Sequence, residues 1–338
     1  MSHIVAGPDK FRQTLGAPGV ARAVAAAASR AGWTADEIPL SDGGEGLLDA
    51  FGGSVRTTTV AGPRGEPTDA EWRFLTAPRV EIPTAVIEMA RAAGRDLLPP
   101  PRGREVLDAT TAGVGQLVLA AIDAGAQRVI VGCGGSATTD GGAGAVDAIG
   151  SADRLDVIDL VVATDTTTLF EEAAAVFSPQ KGATPDQVAL LEDRLRHQRA
   201  DYLTRFGLDV GPLVGSGAAG GLAGGLAAIG GRIASGFGLV ADFVGLDERL
   251  EPADIVMTGE GRLDAQSFRG KVVGQVIDRV AGRRPVLCVV GDLDPAAATL
   301  AGPGVEIVSL TEQFGEDRAR RETAALVEAV VADFLSHR

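Results

Sequence analysis

The chain alternates short runs rich in Val, Ile and Leu with longer Ala-rich stretches whose apolar residues recur at helical spacing. Short β-branched runs bounded by Gly, Pro, Asp and Ser read as strands, and strands separated by helical stretches read as βα units of a parallel sheet. Five runs form one set: His3–Ala6, Asp36–Leu40, Asp254–Met257, Val286–Val290 and Val305–Leu310. Helices fit between and after them, at Pro18–Ala31, Gly274–Gly282 and Asp317–Ser336. Because successive βα units pack side by side, the simplest assembly is a five-stranded doubly wound sheet built from both ends of the chain.

The middle has a different pattern. Glu71–Leu75 and Ala85–Met89 look like meander strands, and Pro99–Arg104 is too Pro-rich for helix. Further strands are expected at Arg128–Gly132 and Leu160–Thr164, with helices at Gly113–Ala124 and Thr184–Phe206. The fold class is therefore α/β: a doubly wound parallel-sheet domain from residues 1–60 and 240–338, interrupted by a second α/β domain with a mixed sheet over 61–239.

Composition narrows the function. The net charge of −14 and pI near 4.7 argue against nonspecific binding to nucleic acid or anionic membrane, both of which need a basic face. Cys133 and Cys288 sit in apolar runs as small buried hydrophobes, with no disulfide or zinc spacing, which fits a reducing compartment. The start MSHIVAGPDKF has neither a charged n-region nor a long apolar stretch, and no window has the roughly 18 apolar residues of a span. A soluble, cytoplasmic protein, monomer or homodimer, is expected.

Six motifs carry candidate chemistry. After the first strand, Gly7-Pro8-Asp9-Lys10-Phe11-Arg12 offers Lys10 and Arg12 at the sheet edge where α/β proteins collect anions. Ser41-Asp42-Gly43-Gly44-Glu45-Gly46 places two carboxylates among three glycines; one is a candidate to take a hydroxyl proton or hold a metal, the other to cap a helix. The run Gly132 to Gly144 holds Gly134, Gly135, Ser136 and Thr138, small residues whose N–H and O–H groups can converge on phosphate, and Asp140, a candidate for Mg²⁺ or for orienting an acceptor. Lys181, in Ser178-Pro179-Gln180-Lys181-Gly182-Ala183, is a candidate phosphate contact. Gly215-Ser216-Gly217-Ala218-Ala219-Gly220 satisfies G-x-G-x-x-G, but Leu208–Val214 is a weak strand broken by Gly211-Pro212, so a nicotinamide cofactor is the minor alternative. Thr258-Gly259-Glu260-Gly261-Arg262-Leu263-Asp264, with Lys271 beyond, supplies the metal ligands and counter-charges that phosphoryl transfer uses.

Absences help as well. The sequence contains no G-x-x-x-x-G-K-[ST] and no protein-kinase motif set. His3, His197 and His337 lie outside every motif, so acid–base work falls to a carboxylate or lysine.

In order, Pro8-Asp9-Lys10-Phe11, Asp42-Gly43-Gly44-Glu45-Gly46, Gly134-Gly135-Ser136-Ala137-Thr138, Pro179-Gln180-Lys181-Gly182-Ala183, Gly217-Ala218-Ala219-Gly220-Gly221 and Thr258-Gly259-Glu260-Gly261-Arg262-Leu263-Asp264 resemble the bacterial glycerate kinase family over nearly the whole length. The resemblance implies transfer of the ATP γ-phosphate to D-glycerate, usually at the 2-hydroxyl, with Mg²⁺, and a flavodoxin-like domain interrupted by a second α/β domain with the site in the cleft between them. On that basis Lys10, Arg262 and either Asp42 or Asp140 are expected to be catalytic, the carboxylate taking the hydroxyl proton. Arg12, Glu45, Asp264 and Lys271 would bind glycerate. Gly134, Gly135, Ser136, Thr138, Lys181, Gly217 and Gly220 would line the nucleotide phosphates, and Asp165 or Glu260 would hold the metal. Glycerate and ATP would be the small-molecule partners, with no nucleic acid and no membrane. The chain departs from the family where Asp165-Thr166-Thr167-Thr168-Leu169 replaces an Asn-Pro-Leu segment, where Gly150 to Leu160 is short, and at Arg12 and Gln13. The rival readings are a family member that binds its ligands without turnover, and a kinase of a related hydroxy acid.

Overall fold

The computed structural model describes residues 2–11, 14–98 and 105–338. The expected Pro-rich turn and Arg12 lie outside these. In chain order the strands are β1 (His3–Ala6), β2 (Thr34–Glu37), β3 (Ser54–Ala61), β4 (Pro67–Leu75), β5 (Thr84–Glu88), β6 (Arg128–Gly132), β7 (Asp159–Ala163), β8 (Arg232–Ala234), β9 (Ile255–Leu263), β10 (Val286–Leu293) and β11 (Val305–Ser309). They form two sheets, and the chain divides into two compact units, residues 1–42 with 237–338 and residues 43–236.

In the first unit the sheet runs β11-β10-β9-β1-β2, with every pairing parallel. Read by order of appearance within the unit this is 2-1-3-4-5, the flavodoxin-like doubly wound order, and its topological switch point lies between β1 and β9. Buried Ile4, Val24, Met257, Leu287, Val327 and Phe334 fill one side, where the helices Ala17–Arg30 and Thr323–Ser336 pack on each other and on the sheet. Pro18 at the helix start supplies the φ that a first turn needs and lacks only an N–H that would be unpaired there anyway.

Three local expectations shift. The second strand lies at 34–37 rather than 36–40: Ile38 and Leu40 are fully packed, but the chain has already left the ladder. The C-terminal helix is two helices, Glu316–Arg321 and Thr323–Ser336. Most important for the chemistry, Thr258 to Leu263 is not a loop after a strand but the second half of β9, pairing with β10 as far as Leu263↔Leu293. Gly259 makes this possible: a Cβ there would lie 1.9 Å from the Val289 carbonyl oxygen.

The second unit holds a six-stranded mixed sheet, β3-β4-β5-β6-β7-β8, antiparallel through β5 and parallel from β5 to β8. The first change of unit falls at 42/43, earlier than residue 60, because β3 pairs along its whole length with β4. All five residues of β5, the strand where the sheet changes from antiparallel to parallel, are buried, as expected of a central strand covered on both faces. Among the described residues no helix is long and apolar enough to cross a membrane.

Candidate active site

The switch point of the first sheet gathers one group of predicted residues. Beyond β1 the backbone keeps following β9: Gly7 N–H donates to Met257 O at 2.8 Å, Asp9 N–H donates to Gly259 O at 2.9 Å, and Thr258 Oγ1 donates to Gly7 O at 2.9 Å. This holds Asp9 and Lys10 against the second half of β9. Asp9 Oδ1 accepts the Lys10 N–H at 2.7 Å and lies 3.8 Å from Lys10 Nζ, and both side chains are largely buried.

Glu260 projects from β9 into the same neighbourhood and is 6% exposed. Burial pushes its carboxyl up to about 7, the negative charges of Asp9 and Asp264 push the same way, and a Ser267 hydrogen bond and the Lys271 charge oppose them. Glu260 Oε1 has no hydrogen-bond partner. A buried carboxylate oxygen with nothing on it costs free energy unless a ligand supplies the partner. Asp264 is partly committed, its Oδ1 capping the turn Ala265–Phe268 through Gln266 N–H at 2.8 Å. Lys271 begins the helix Val272–Val280. Arg262 lies on the exposed side of β9, 3.7 Å from Asp292. Asp42, the last residue of this unit's first segment, is half-buried.

The second unit gathers the remaining predicted residues at the carboxyl ends of β5, β6 and β7. Gly43 and Gly44 pack backbone to backbone on Gly132 and Gly134: a Cβ on Gly132 would lie 2.5 Å from Gly43 O, and one on Gly134 2.4 Å from Gly44 Cα. Asp140 accepts from Thr111 N–H and Thr111 Oγ1, each at 2.8 Å, and from Gly142 and Gly144 N–H at 3.1 and 3.2 Å. These bonds anchor the starts of the helices Ala112–Asp123 and Ala143–Ile149; burial pushes the carboxyl up and the four donors draw it back.

Lys181 is buried at 3% exposure, beneath the Ser136–Thr139 turn. Its ammonium donates to Ser136 Oγ at 2.9 Å, Thr139 Oγ1 at 3.4 Å and the Thr138 carbonyl, which uses all three of its donors. Burial pulls its pKa down to about 7, against the charge of Asp140 and with that of Arg95. Gly220 faces protein rather than open space: a Cβ there would lie 2.0 Å from the Thr138 carbonyl oxygen. Gly217 N–H donates to Thr168 O at 3.0 Å, so the altered Thr166–Leu169 turn supports the same loop. No strand precedes Gly215, so the context that a dinucleotide fingerprint requires is missing.

Asp165 accepts from Ser235 Oγ at 2.7 Å and Gly236 N–H at 3.0 Å, tying the end of β7 to the residues after β8. Glu45 is exposed in its turn. Among the described residues no group of three or more His, Cys, Asp or Glu side chains is spaced to hold a metal ion. Glu260 Oε1 fits one coordination position for a hard cation, which suits Mg²⁺, an ion commonly held by one or two carboxylates plus substrate phosphates.

Two residues outside the predicted set belong to these clusters. Asp9 stands in a recognised motif, yet the chemistry drew attention to its cationic neighbour. Glu88 closes the apolar run of β5, and its one signal is a carboxylate at the end of an otherwise fully buried strand.

A parallel switch point carrying carboxylates and cations, together with a mixed-sheet unit whose strand ends carry Gly-rich turns, defines a two-unit α/β enzyme for small anionic substrates. The family model described as "Glycerate kinase family" matches residues 4–156 and 151–337. The chain is 36% identical to an uncharacterised protein of Mycobacterium bovis, over 95% of this chain and 87% of that one. It is 33% identical to the glycerate 2-kinase of Escherichia coli, over 90% of this chain and 89% of the enzyme. A crystal structure of a candidate glycerate kinase 2 from Salmonella typhimurium LT2 superposes with a TM-score of 0.82 at 32% identity, covering 99% of this chain and 98% of that one. The chain belongs to the glycerate kinase family, as an enzyme that phosphorylates glycerate with ATP as co-substrate.

Proposed function

We propose that the enzyme transfers the γ-phosphoryl group of ATP to the 2-hydroxyl of D-glycerate, with Mg²⁺, in the cytoplasm, and that the two clusters act on one substrate pair in a cleft. The observation that carries the reading is Glu260, a buried carboxylate with an unpartnered oxygen at the switch point of a doubly wound sheet, beside Asp9, Lys10 and Lys271.

Lys10, Lys271 and Arg262 counter the charge of glycerate and of the transferring phosphoryl group. Asp264, and Glu45 from its exposed turn, orient the glycerate hydroxyls. The Ser136–Thr138 turn offers N–H and O–H groups to the nucleotide, with Lys181 and Gly220 shaping that turn from behind and Gly217 seating the neighbouring loop. Mg²⁺, when bound, neutralises phosphate charge in the transition state. Glu260 is its carboxylate ligand, and Asp165 acts by holding Ser235 and Gly236 in place. Asp42 takes the hydroxyl proton as the glycerate oxygen bonds to the γ-phosphorus and the bond to the ADP oxygen breaks. Asp140 is the weaker candidate for that proton, because four donors already occupy its oxygens.

Phosphorus NMR of the product formed from ATP and D-glycerate is the test. Accumulation of 2-phosphoglycerate is expected; 3-phosphoglycerate would overturn the regiochemistry, and faster turnover of another hydroxy acid would overturn the substrate.

A further inference from the structure

We propose that Glu88 is a positioning residue for glycerate phosphorylation, holding from the end of β5 the glycine turn that carries Asp42. The inference rests on the reading of Asp42 as proton acceptor. Glu88 is 2% exposed, and its Oε1 accepts two backbone N–H groups, Gly46 at 2.8 Å and Leu48 at 3.2 Å. Its Oε2 lies 3.3 Å from Arg91 Nε. Leu47–Phe51 is a one-turn helix whose own N-cap, Gly46, has a left-handed backbone and no side chain to offer. Glu88 therefore does from a neighbouring strand what a Ser or Asp cap does locally.

The other side of the turn packs closely on backbone. Gly43 has φ +89, and a Cβ there would stand 3.0 Å from both the Ala163 carbonyl oxygen and Gly236 Cα. The turn is thus gripped by backbone at Gly43 and Gly44 and by one carboxylate at Gly46 and Leu48. A polar side chain at this burial has to be matched by hydrogen-bond donors, a requirement that an apolar residue in β5 would not carry. What the carboxylate adds is a fixed path for the peptide that leads back to Asp42, and a displacement of an ångström at a reacting group can cost on the order of a hundredfold in rate.

The test compares Glu88→Ala, Glu88→Asp and Glu88→Gln in the full chain. Each variant is assayed for glycerate-dependent ADP release, with kcat and KM for both substrates, and amide exchange is followed over residues 43–50. Glu88→Ala is expected to lower kcat by about ten- to a hundredfold, to leave KM for ATP within about twofold, and to speed exchange at Gly46 and Leu48 alone. Glu88→Gln keeps an acceptor at Oε1 and is expected to recover most of the rate. If Glu88→Ala does not fold, Glu88→Asp, which draws the carboxylate back by one methylene, carries the same expectation. Wild-type kcat in a folded Ala or Asp variant, or unchanged exchange at Gly46 and Leu48, overturns the proposal. So does a Gln variant as slow as Ala. If Asp42→Asn instead retains full activity, the reading of Asp42 fails, whereas the exchange result reports on the grip of Glu88 separately.

Discussion

The two clusters of motif residues in this chain use charge in opposite ways. At the switch point of the first unit, Glu260 is buried with an oxygen unpartnered and three charged neighbours close enough to move its pKa. In the second unit the buried charges named above are spent: Asp140 takes four hydrogen bonds, Lys181 uses all three donors, and Glu88 holds two N–H groups and an arginine. A buried ionisable group with an unpartnered oxygen is a candidate to meet a ligand, whereas charges saturated by hydrogen bonds hold local geometry. The first cluster is therefore read as chemistry and the second as the frame that presents the nucleotide turn.

The comparison breaks first at Glu260. Glu260→Gln keeps the shape and removes the charge, so activity in a coupled ADP-release assay should fall by about 10²–10⁴-fold. Circular dichroism should show the fold intact. Asp140→Ala should do the reverse, costing about 3 kcal/mol or more in urea unfolding because the Thr111, Gly142 and Gly144 N–H groups lose their acceptor.

Glycines sharpen the contrast at smaller cost. Gly220→Ala meets a carbonyl oxygen at φ +70 and should destabilise by about 2–3 kcal/mol. Gly46→Ala, at φ +95 with open space around it, should cost about 1 kcal/mol, measured in the same denaturant series. Lys181→Met should raise KM for ATP by about tenfold and leave KM for glycerate unchanged, since its three donors hold the Ser136–Thr139 turn.

The same contrast sets a pH dependence. Glu260 is raised from 4.5 to about 7 on folding, so the folded state holds the extra proton between those values and stability falls as pH rises through that window. Lys181 is lowered from 10.5 to about 7, so the unfolded state holds the extra proton above 7 and stability rises from there towards 10.5. Together they place a minimum near pH 7 in the ligand-free protein, with a depth on the order of 3 kcal/mol on its acid side. Chemical denaturation across pH 5–9 checks it, and Glu260→Gln should abolish the acid limb.

Much of this was legible from residue patterns. β1, β6 and the cores of β10 and β11 are apolar runs that strands explain; the motifs after β1 and β6 do fall at strand ends and Thr258–Leu263 inside β9, whereas Ser178–Ala183 and Gly215–Gly221 fall among helices. β3 was not legible because Ser54–Ala61 is a mostly exposed, Thr-rich edge strand with no apolar alternation. The extension of β9 through Thr258–Leu263 was hidden because Gly259 and Gly261 look like a loop, whereas close approach of β10 is what requires glycine at 259. For the site, residue type identified Glu260, Lys181 and Asp140, but their roles depend on how many hydrogen bonds each receives, and spacing carries no record of that. Glu88 escaped notice for the same reason: its partners, Gly46 and Leu48, lie some forty residues earlier in the chain.

The most direct measurement is a carbon-13 NMR titration of the Glu260 side-chain carboxyl, assigned by its disappearance in Glu260→Gln. The ligand-free protein should show a midpoint of about 7, falling when Mg²⁺, ADP and glycerate are added together. A midpoint near 4.5 without ligands, or one that ligands do not move, would contradict the account.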